Sequence, residues 1–379
     1  MRVLVDCRMM CNGFMHGLAR SDYMTVKAMA RLQPEWEFGC LVCGDVIGDL
    51  QKECPNVSTV MTGAKPFTLR EHFELPKVLS DWNPAVFHAT SIAVPCRIPV
   101  RYVITVPDLT IYHHPIRFFD RWYFRHILKP VLNRAKIVAV SCQHCIDDVH
   151  RTMGVPLEKL LLISQGVDRE VYEDFSAEET AELKKKHGLD EHYVLCVSNP
   201  KPHKNLPRLL EAWKKLKQEC ENEEFVSFAD GKKFTGKDLQ LVIVSNMQHH
   251  LQPWLDELPK LQIVSRVSDR ELGFLYQQSE FLVFPSLSEG FGLPVLESLK
   301  ADRPVCVSGN TSLPEVAGEA GILFNPYSPD DICGSMLKLL RDGELYKKLQ
   351  SHCQSQLSKF SWENTAQLQI DMYKRAVEL

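Results

Sequence analysis

Two carboxylates and two glycines stand together in Ser286-Leu287-Ser288-Glu289-Gly290-Phe291-Gly292-Leu293-Pro294-Val295-Leu296-Glu297. The apolar run Phe281–Pro285 before them reads as a buried strand, and Pro294 marks the start of a helix. The backbone N–H groups of Phe291, Gly292 and Leu293 then point outward at a helix N-terminus, which attracts anions. Gly290 and Gly292 let the backbone come close to a phosphate. Phosphate repels carboxylate, so Glu289 and Glu297 need a different partner. A carboxylate accepts two hydrogen bonds from a vicinal diol, and sugar hydroxyls meet that requirement. Singly, each acid has a bland reading: Glu297 as a first-turn residue favoured by the helix dipole, Glu289 as a solvated loop charge. Their joint placement around a glycine-rich helix start favours a site.

A second cluster follows the run Tyr193–Ser198, in Asn199-Pro200-Lys201-Pro202-His203-Lys204-Asn205. Lysines at a helix N-terminus are either a solvated end or the partners of an anion. The helix dipole disfavours cations there, so Lys201 and Lys204 with His203 point to a bound anion.

Short apolar, β-branched runs alternating with helix-length segments place these loops. The strand candidates are Arg2–Arg8, Glu37–Gly44, Ala85–Ala89, Tyr102–Val106, Lys136–Ser141 and Leu160–Ser164, then Tyr193–Ser198, Leu239–Ser245, Leu261–Val267, Phe281–Pro285, Pro304–Ser308 and Gly321–Phe324. Near-continuous apolar strands of this kind form parallel sheets covered on both faces. The expectation is an α/β chain of two Rossmann-like, doubly wound domains, residues 1–170 and 190–360, with residues 361–379 as a closing helix. The break falls in the charged stretch Val167–His192. Gln218–Asp238 is too polar to pack and reads as an exposed insertion or hairpin. Ser361 is an N-cap candidate with Asn364 at N3.

Composition agrees with this reading. The 379 residues suit two domains, with 45% hydrophobic and 24% charged. No apolar run reaches the ~20 residues of a membrane span. MRVLVDCRMM enters a strand-like run with no signal-peptide core, so a cytoplasmic location is expected. A net charge of −4 gives no reason to expect nucleic acid as the main partner. Thirteen cysteines, several inside strand runs, read as reduced thiols. Cys40 and Cys43 point to opposite faces of a strand. Cys142 and Cys145, with His144 and His150 nearby, leave a metal reading open.

The wording EGFGLPVLE, with its E-x7-E spacing, resembles the retaining GT-B glycosyltransferases called family 4. The likeness runs through nearly the whole chain. It takes in AVSCQHCIDDVHRTMGVPLEKLLLISQGVD, the helix Asn205–Trp213, the segments Ser308–Val316 and Ala320–Pro326, and the closing FSWENTA. The resemblance implies two domains facing a cleft, with the last helix returning to the first domain. It implies that Glu289 contacts the transferred sugar and Glu297 the ribose. It gives Lys204 the leaving diphosphate. Asn199 stands where the family has arginine, and Lys201 is read as supplying that charge. The catalytic set is thus Glu289, Lys204 and Lys201. The donor-binding set is Glu297, Gly290, Phe291, Gly292, Leu293, Gly17, Arg20, Asn199 and Arg266. No D-x-D occurs, so lysines and helix amides are expected in place of a metal, and no cofactor is expected.

Asn12–Arg20 resembles the family's glycine-rich donor loop, with Gly17 and Arg20 at matching positions and Ser21 for its tyrosine. In Thr105-Val106-Pro107-Asp108-Leu109, Pro107 replaces a family histidine. His88 and Asp108 are the acceptor-side candidates, although a lone histidine is more often structural than catalytic. Residues 117–136 mix aromatic and basic side chains, which suits peripheral contact with an anionic membrane face, the inner face of the plasma membrane here. The alternative for that segment is a helix with its aromatics in the core. NPKPHKN resembles bacterial polysaccharide mannosyltransferases. The expected reaction moves a hexose, mannose from GDP-mannose first, to a lipid-linked oligosaccharide or polysaccharide. The alternatives are a UDP-sugar-dependent transferase of the same fold, or a nucleotide-sugar-binding protein with impaired catalysis.

Overall fold

The computed structural model describes residues 1–13, 17–44, 47–167, 172–228, 230–246 and 252–379. The chain divides into two compact units, Met1–Asp168 with Phe360–Leu379, and Arg169–Lys359. Each is built on a wholly parallel sheet.

In the first unit the strands are β1 (Arg2–Asp6), β2 (Glu37–Val42), β3 (Val57–Met61), β4 (Val86–Ala89), β5 (Tyr102–Val106), β6 (Val138–Val140) and β7 (Leu160–Leu162). Their order is β3-β2-β1-β4-β5-β6-β7. The chain builds outward from β1 and then returns on its other side, with Leu4 opposite both Gly39 and Phe87. Alternate strand residues feed two separate cores. Leu4, Phe87, Ile104 and Val138 join one. Val3, Val5, Val103 and Ala139 join the other, together with Ile370, Met372 and Tyr373 from the last helix, Trp362–Glu378. Ser361 caps that helix through the Asn364 N–H, as the sequence implied. Gly166 lets the chain pass the helix start, because a Cβ there would lie 2.4 Å from the Trp362 nitrogen.

The run read as Arg2–Arg8 ends at Asp6 because Arg8 turns inward. Its guanidinium, 1% exposed, pairs with Asp6 at 2.7 Å and Glu71 at 3.0 Å and donates to the Ala64 and Ala93 carbonyls. β3 was not anticipated. It is an edge strand whose middle residues are only partly buried, so its apolar signal is weak.

In the second unit β8 (Tyr193–Val197), β11 (Gln240–Val244), β12 (Leu261–Val264), β13 (Leu282–Phe284), β14 (Val305–Ser308) and β15 (Gly321–Phe324) form one sheet. Its order is β12-β11-β8-β13-β14-β15, so the reversal lies between β8 and β13. β9 (Glu224–Val226) and β10 (Lys233–Thr235) make an antiparallel hairpin. The hairpin agrees with the reading of Gln218–Asp238, but the claim that this segment is too polar to pack is wrong. Phe225 and Phe234 are buried in the unit's core, and Phe234 stacks on His192 at 4.3 Å. Two well-spaced aromatics were enough to anchor a charged stretch.

Cys142 and Cys145 open the helix Gln143–Met153 as buried thiols 3.2 Å apart. His144 and His150 are exposed, and His150 Nδ1 contacts the Val155 carbonyl, so neither histidine joins the pair. The segment 117–136 holds a continuous helix, Asp120–Tyr123 and Lys129–Arg134, with a π turn over Phe124–Leu128 between them. Pro130 accounts for the π turn, since it has no N–H for the preceding turn. Phe124, Leu128, Val131 and Leu132 are buried, whereas Phe118, Phe119 and Trp122 are exposed.

The last helix is tied to the first sheet by His88, whose Nδ1 lies 2.7 Å from the Tyr373 hydroxyl and whose Nε2 lies 2.8 Å from Thr105 Oγ1. Burial pushes the ring's pKa down from 6.5 to about 3. The unfolded chain takes up a proton near pH 6.5 that the folded chain refuses until about pH 3. Stability contributed by the neutral ring is therefore present above that window and lost as pH falls, with a slope approaching ~1.4 kcal/mol per pH unit. Denaturant titrations at pH 7 and pH 5 should show that loss. His88→Gln should be less stable at pH 7 yet lose less between the two; an unchanged difference would remove His88 from the acid response.

Candidate functional site

Ligands of open α/β sheets sit beyond the carboxyl ends of the strands, where the strand order reverses. In the second unit that position lies between the loops leaving β8 and β13. Pro202–Lys204 makes a single 3-10 turn after β8, and Asn205 adopts a left-handed conformation, φ 59°, before the helix Leu206–Cys220. The buried Asn205 amide donates to the Pro285 carbonyl at 3.0 Å and the Pro326 carbonyl at 2.7 Å. The Leu287 N–H donates to the His203 carbonyl at 2.7 Å. Sequence-distant loops are thereby held side by side.

Their charged side chains meet there. Lys204 Nζ lies 2.6 Å from Glu289 Oε1, with the two side chains 20% and 12% exposed. The same ammonium sits 5.6 Å from the centre of the Phe284 ring. Lys204 therefore does more than await an anion: it neutralises the neighbouring acid. An ammonium has three donors, so it can keep Glu289 and still take a phosphate oxygen. Lys201 is exposed at the start of the turn, and Asn199 is exposed just before it.

The glycine loop ends at Gly292, φ 107°, the N-cap of the helix Leu293–Lys300, which has no side-chain cap. A Cβ at Gly292 would also meet Leu313 at 2.8 Å, so both backbone and space call for glycine. Phe291 and Gly292 are buried, and Leu293 is partly so. Glu297 is the fifth helical residue. This corrects the first-turn placement, and with it the dipole explanation for this acid. Its Oε2 accepts the Tyr276 hydroxyl at 2.8 Å, and its carbonyl accepts the Tyr172 hydroxyl at 3.3 Å. Burial, then the Glu297 charge, pushes the Tyr276 pKa well above its usual value, so Tyr276 stays a donor. Glu289 thus meets an ammonium, and Glu297 accepts from a neutral phenol. Tyr276 was missed because a buried aromatic in LGFLYQQ reads as core. Arg266 is exposed with φ 56° after β12, an edge strand, rather than in the loops beside Glu289.

The first unit's candidates are placed less as expected. His88 is fully buried with both ring nitrogens occupied, which corrects its acceptor-side reading to a structural one. It borders a small cavity of roughly 30 Å³, room for about one water, which Asp22, Thr90 and Pro107 also line. Asp108 is partly exposed, and its Oδ1 accepts the Thr110 N–H at 2.7 Å, an Asx turn that starts Thr110–His113. Gly17 is exposed with φ 41° as the N-cap of Leu18–Leu32, and Arg20 lies one turn in, partly buried. The intervening residues 14–16 of that loop lie outside the described residues.

Residues 24–171 match the family described as Glycosyltransferase Family 4, and residues 179–355 match Glycosyl transferases group 1. The serotype-specific mannosyltransferase WbdA of Escherichia coli is 30% identical over 76% of the chain, which spans only 35% of WbdA. The O-antigen chain mannosyltransferase B of Escherichia coli is 26% identical over 78% of the chain and 76% of its own length. Among solved structures, Anabaena HepE in complex with UDP-glucose superposes with a TM-score of 0.73 at 14% identity, covering 99% of both chains. WaaG, a glycosyltransferase involved in lipopolysaccharide biosynthesis, superposes with a TM-score of 0.70 at 14% identity, covering 98% of this chain and 99% of that one.

Proposed function

The chain belongs to the group 1, family 4 glycosyltransferases, and from that membership we propose that it is a retaining hexosyltransferase drawing on a nucleotide sugar. The donor we propose is GDP-mannose, and the acceptor a lipid-linked oligosaccharide or polysaccharide. Several relatives carry mannosyltransferase names, and these support the sugar. The observation that carries the reaction is the Lys204–Glu289 pair at the strand-order reversal, beside an uncapped helix start.

In this reading the diphosphate lies against Lys204, Lys201 and the Gly292 and Leu293 amides, while Glu297 accepts the ribose hydroxyls. Negative charge grows on the leaving oxygens as the anomeric bond opens, and fixed donors stabilise it more than the ground state. Glu289 faces the transferred sugar. The acceptor hydroxyl attacks from the face the diphosphate leaves, which retains configuration. A UDP-hexose is the second reading, favoured by the fold's likeness to HepE with UDP-glucose.

We place the chain in the cytoplasm, peripheral to the inner face of the plasma membrane. The support is an exposed apolar surface ringed by charge. Phe118 is 99% exposed and Trp122 56%, with Arg117, Arg121, Arg125 and Lys129 exposed around them. Phe67, also exposed, meets Tyr123 at 5.9 Å. Among the described residues no helix is long and apolar enough to cross a membrane.

Thermal-shift titration with GDP, UDP, ADP and their sugars selects the donor, with GDP-mannose expected to stabilise most. Glu289→Ala should then cut turnover about a hundred- to a thousand-fold with little change in nucleotide affinity. Glu297→Ala should instead weaken binding of the free nucleoside diphosphate. Equal binding by that variant would refute the ribose role. Turnover should survive complete chelation by EDTA, and Lys204→Ala should slow it more than Lys201→Ala. A Mg2+ or Mn2+ requirement would overturn the metal-free account. In flotation assays the chain should follow vesicles containing phosphatidylglycerol, less at high salt, and a Phe118→Ser/Trp122→Ser double variant should stay behind; equal flotation would reject this surface.

A further inference from the structure

The loop leaving β14, Gly309–Ser312, lies along the Glu289 loop and bonds to it at successive points. Asn310 Nδ2 donates to the Leu287 carbonyl at 2.9 Å. Thr311 Oγ1 accepts the Glu289 N–H at 3.3 Å. The Ser312 hydroxyl, fully buried, lies 2.8 Å from the Phe291 carbonyl and 3.2 Å from that of Glu289. With one hydrogen to give, Ser312 serves the nearer carbonyl first. Next in line, the Leu313 side chain occupies the space that a Cβ at Gly292 would need. Four consecutive residues, Asn310 to Leu313, thus follow the loop that carries the acid and the helix start.

Thr311 does this in an unfavourable backbone conformation. Its φ is 54°, in the left-handed region that β-branched residues avoid. Such a conformation persists only where its surroundings impose it, and here it sets a hydroxyl against the Glu289 amide. Glu289 is therefore held twice, through its carboxylate by Lys204 and through its backbone by the β14 loop. Lys204 alone could follow the acid if the loop shifted. The second hold fixes where the pair stands.

We infer that Thr311 is a positioning residue that sets the backbone of Glu289 through its hydroxyl. This rests on the reading of Glu289 as the group facing the transferred sugar. A loop displaced by a fraction of an ångström leaves the ribose and base contacts in place while the acid misses the reacting centre. The loss then falls on turnover rather than on nucleotide binding.

The test uses the full chain with three substitutions. Thr311→Val keeps the branched shape and removes the hydroxyl, Thr311→Gly removes the hydroxyl and relieves the backbone, and Thr311→Ser keeps the hydroxyl. Hydrolysis of GDP-mannose, or of UDP-glucose if that is the active donor, gives kcat. Binding of the matching nucleoside diphosphate and hydrogen exchange of peptides spanning residues 286–292 complete the set. The valine and glycine variants should lose about ten- to a hundred-fold in kcat. Nucleotide affinity should hold within about twofold, and exchange across 286–292 should quicken. Serine should restore both turnover and protection, and glycine should melt no lower than wild type despite its lost activity. Valine with wild-type turnover and exchange overturns the inference, as does a parallel loss of affinity, melting temperature and rate that serine fails to rescue. Glu289→Ala run beside them keeps the two readings apart. If that variant turns over normally the role of Glu289 is wrong, and hydrogen exchange alone then decides whether Thr311 holds the loop.

Discussion

The arrangement of the second unit depends on where its parallel sheet reverses order. A chain that runs outward from β8 through β11 and β12 and returns as β13 brings the loops after β8 and β13 side by side. The Lys204–Glu289 pair is the consequence. Neither group would be comfortable alone at its degree of burial, so each makes the other's position tolerable. Asn205 secures the arrangement by crossing from its own loop to the carbonyls of Pro285 and Pro326. Asparagine suits that place because it tolerates the left-handed backbone and carries two amide hydrogens.

Two acids eight residues apart are kept chemically distinct by what surrounds them. Glu289 leans on an ammonium in a loop, where its charge is compensated. Glu297 sits in a helix against a buried phenol that stays protonated and so donates to it. The side chains are identical, so whatever differs between them comes from environment.

The first unit uses its polar residues for construction to a greater extent. Arg8 gathers Asp6, Glu71 and two carbonyls at the end of β1. His88 joins the sheet to the last helix, and Asp108 starts a turn. Exposed aromatic side chains lie elsewhere, among them Phe118 and Trp122 just ahead of the π turn.

Much of this was legible in the residue order, and the limits have a physical cause. Apolar runs announce sheet strands, so every anticipated strand formed, and the half-exposed edge strand β3 escaped notice. Glycine before a proline-started helix marks the left-handed turn at Gly292, because backbone freedom is a local property. The Ser361 cap was visible for the same reason. Tertiary structure alone decided which distant groups share a neighbour. Nothing local in FHAT shows that Tyr373 will occupy the His88 ring, and nothing in LGFLYQQ shows that a phenol will reach Glu297. Nothing in SGNTSLPE shows that Thr311 will bend into a left-handed turn beneath Glu289. Those choices depend on strand order and loop packing, which are set by the burial of the whole sheet rather than by the residues that profit from it.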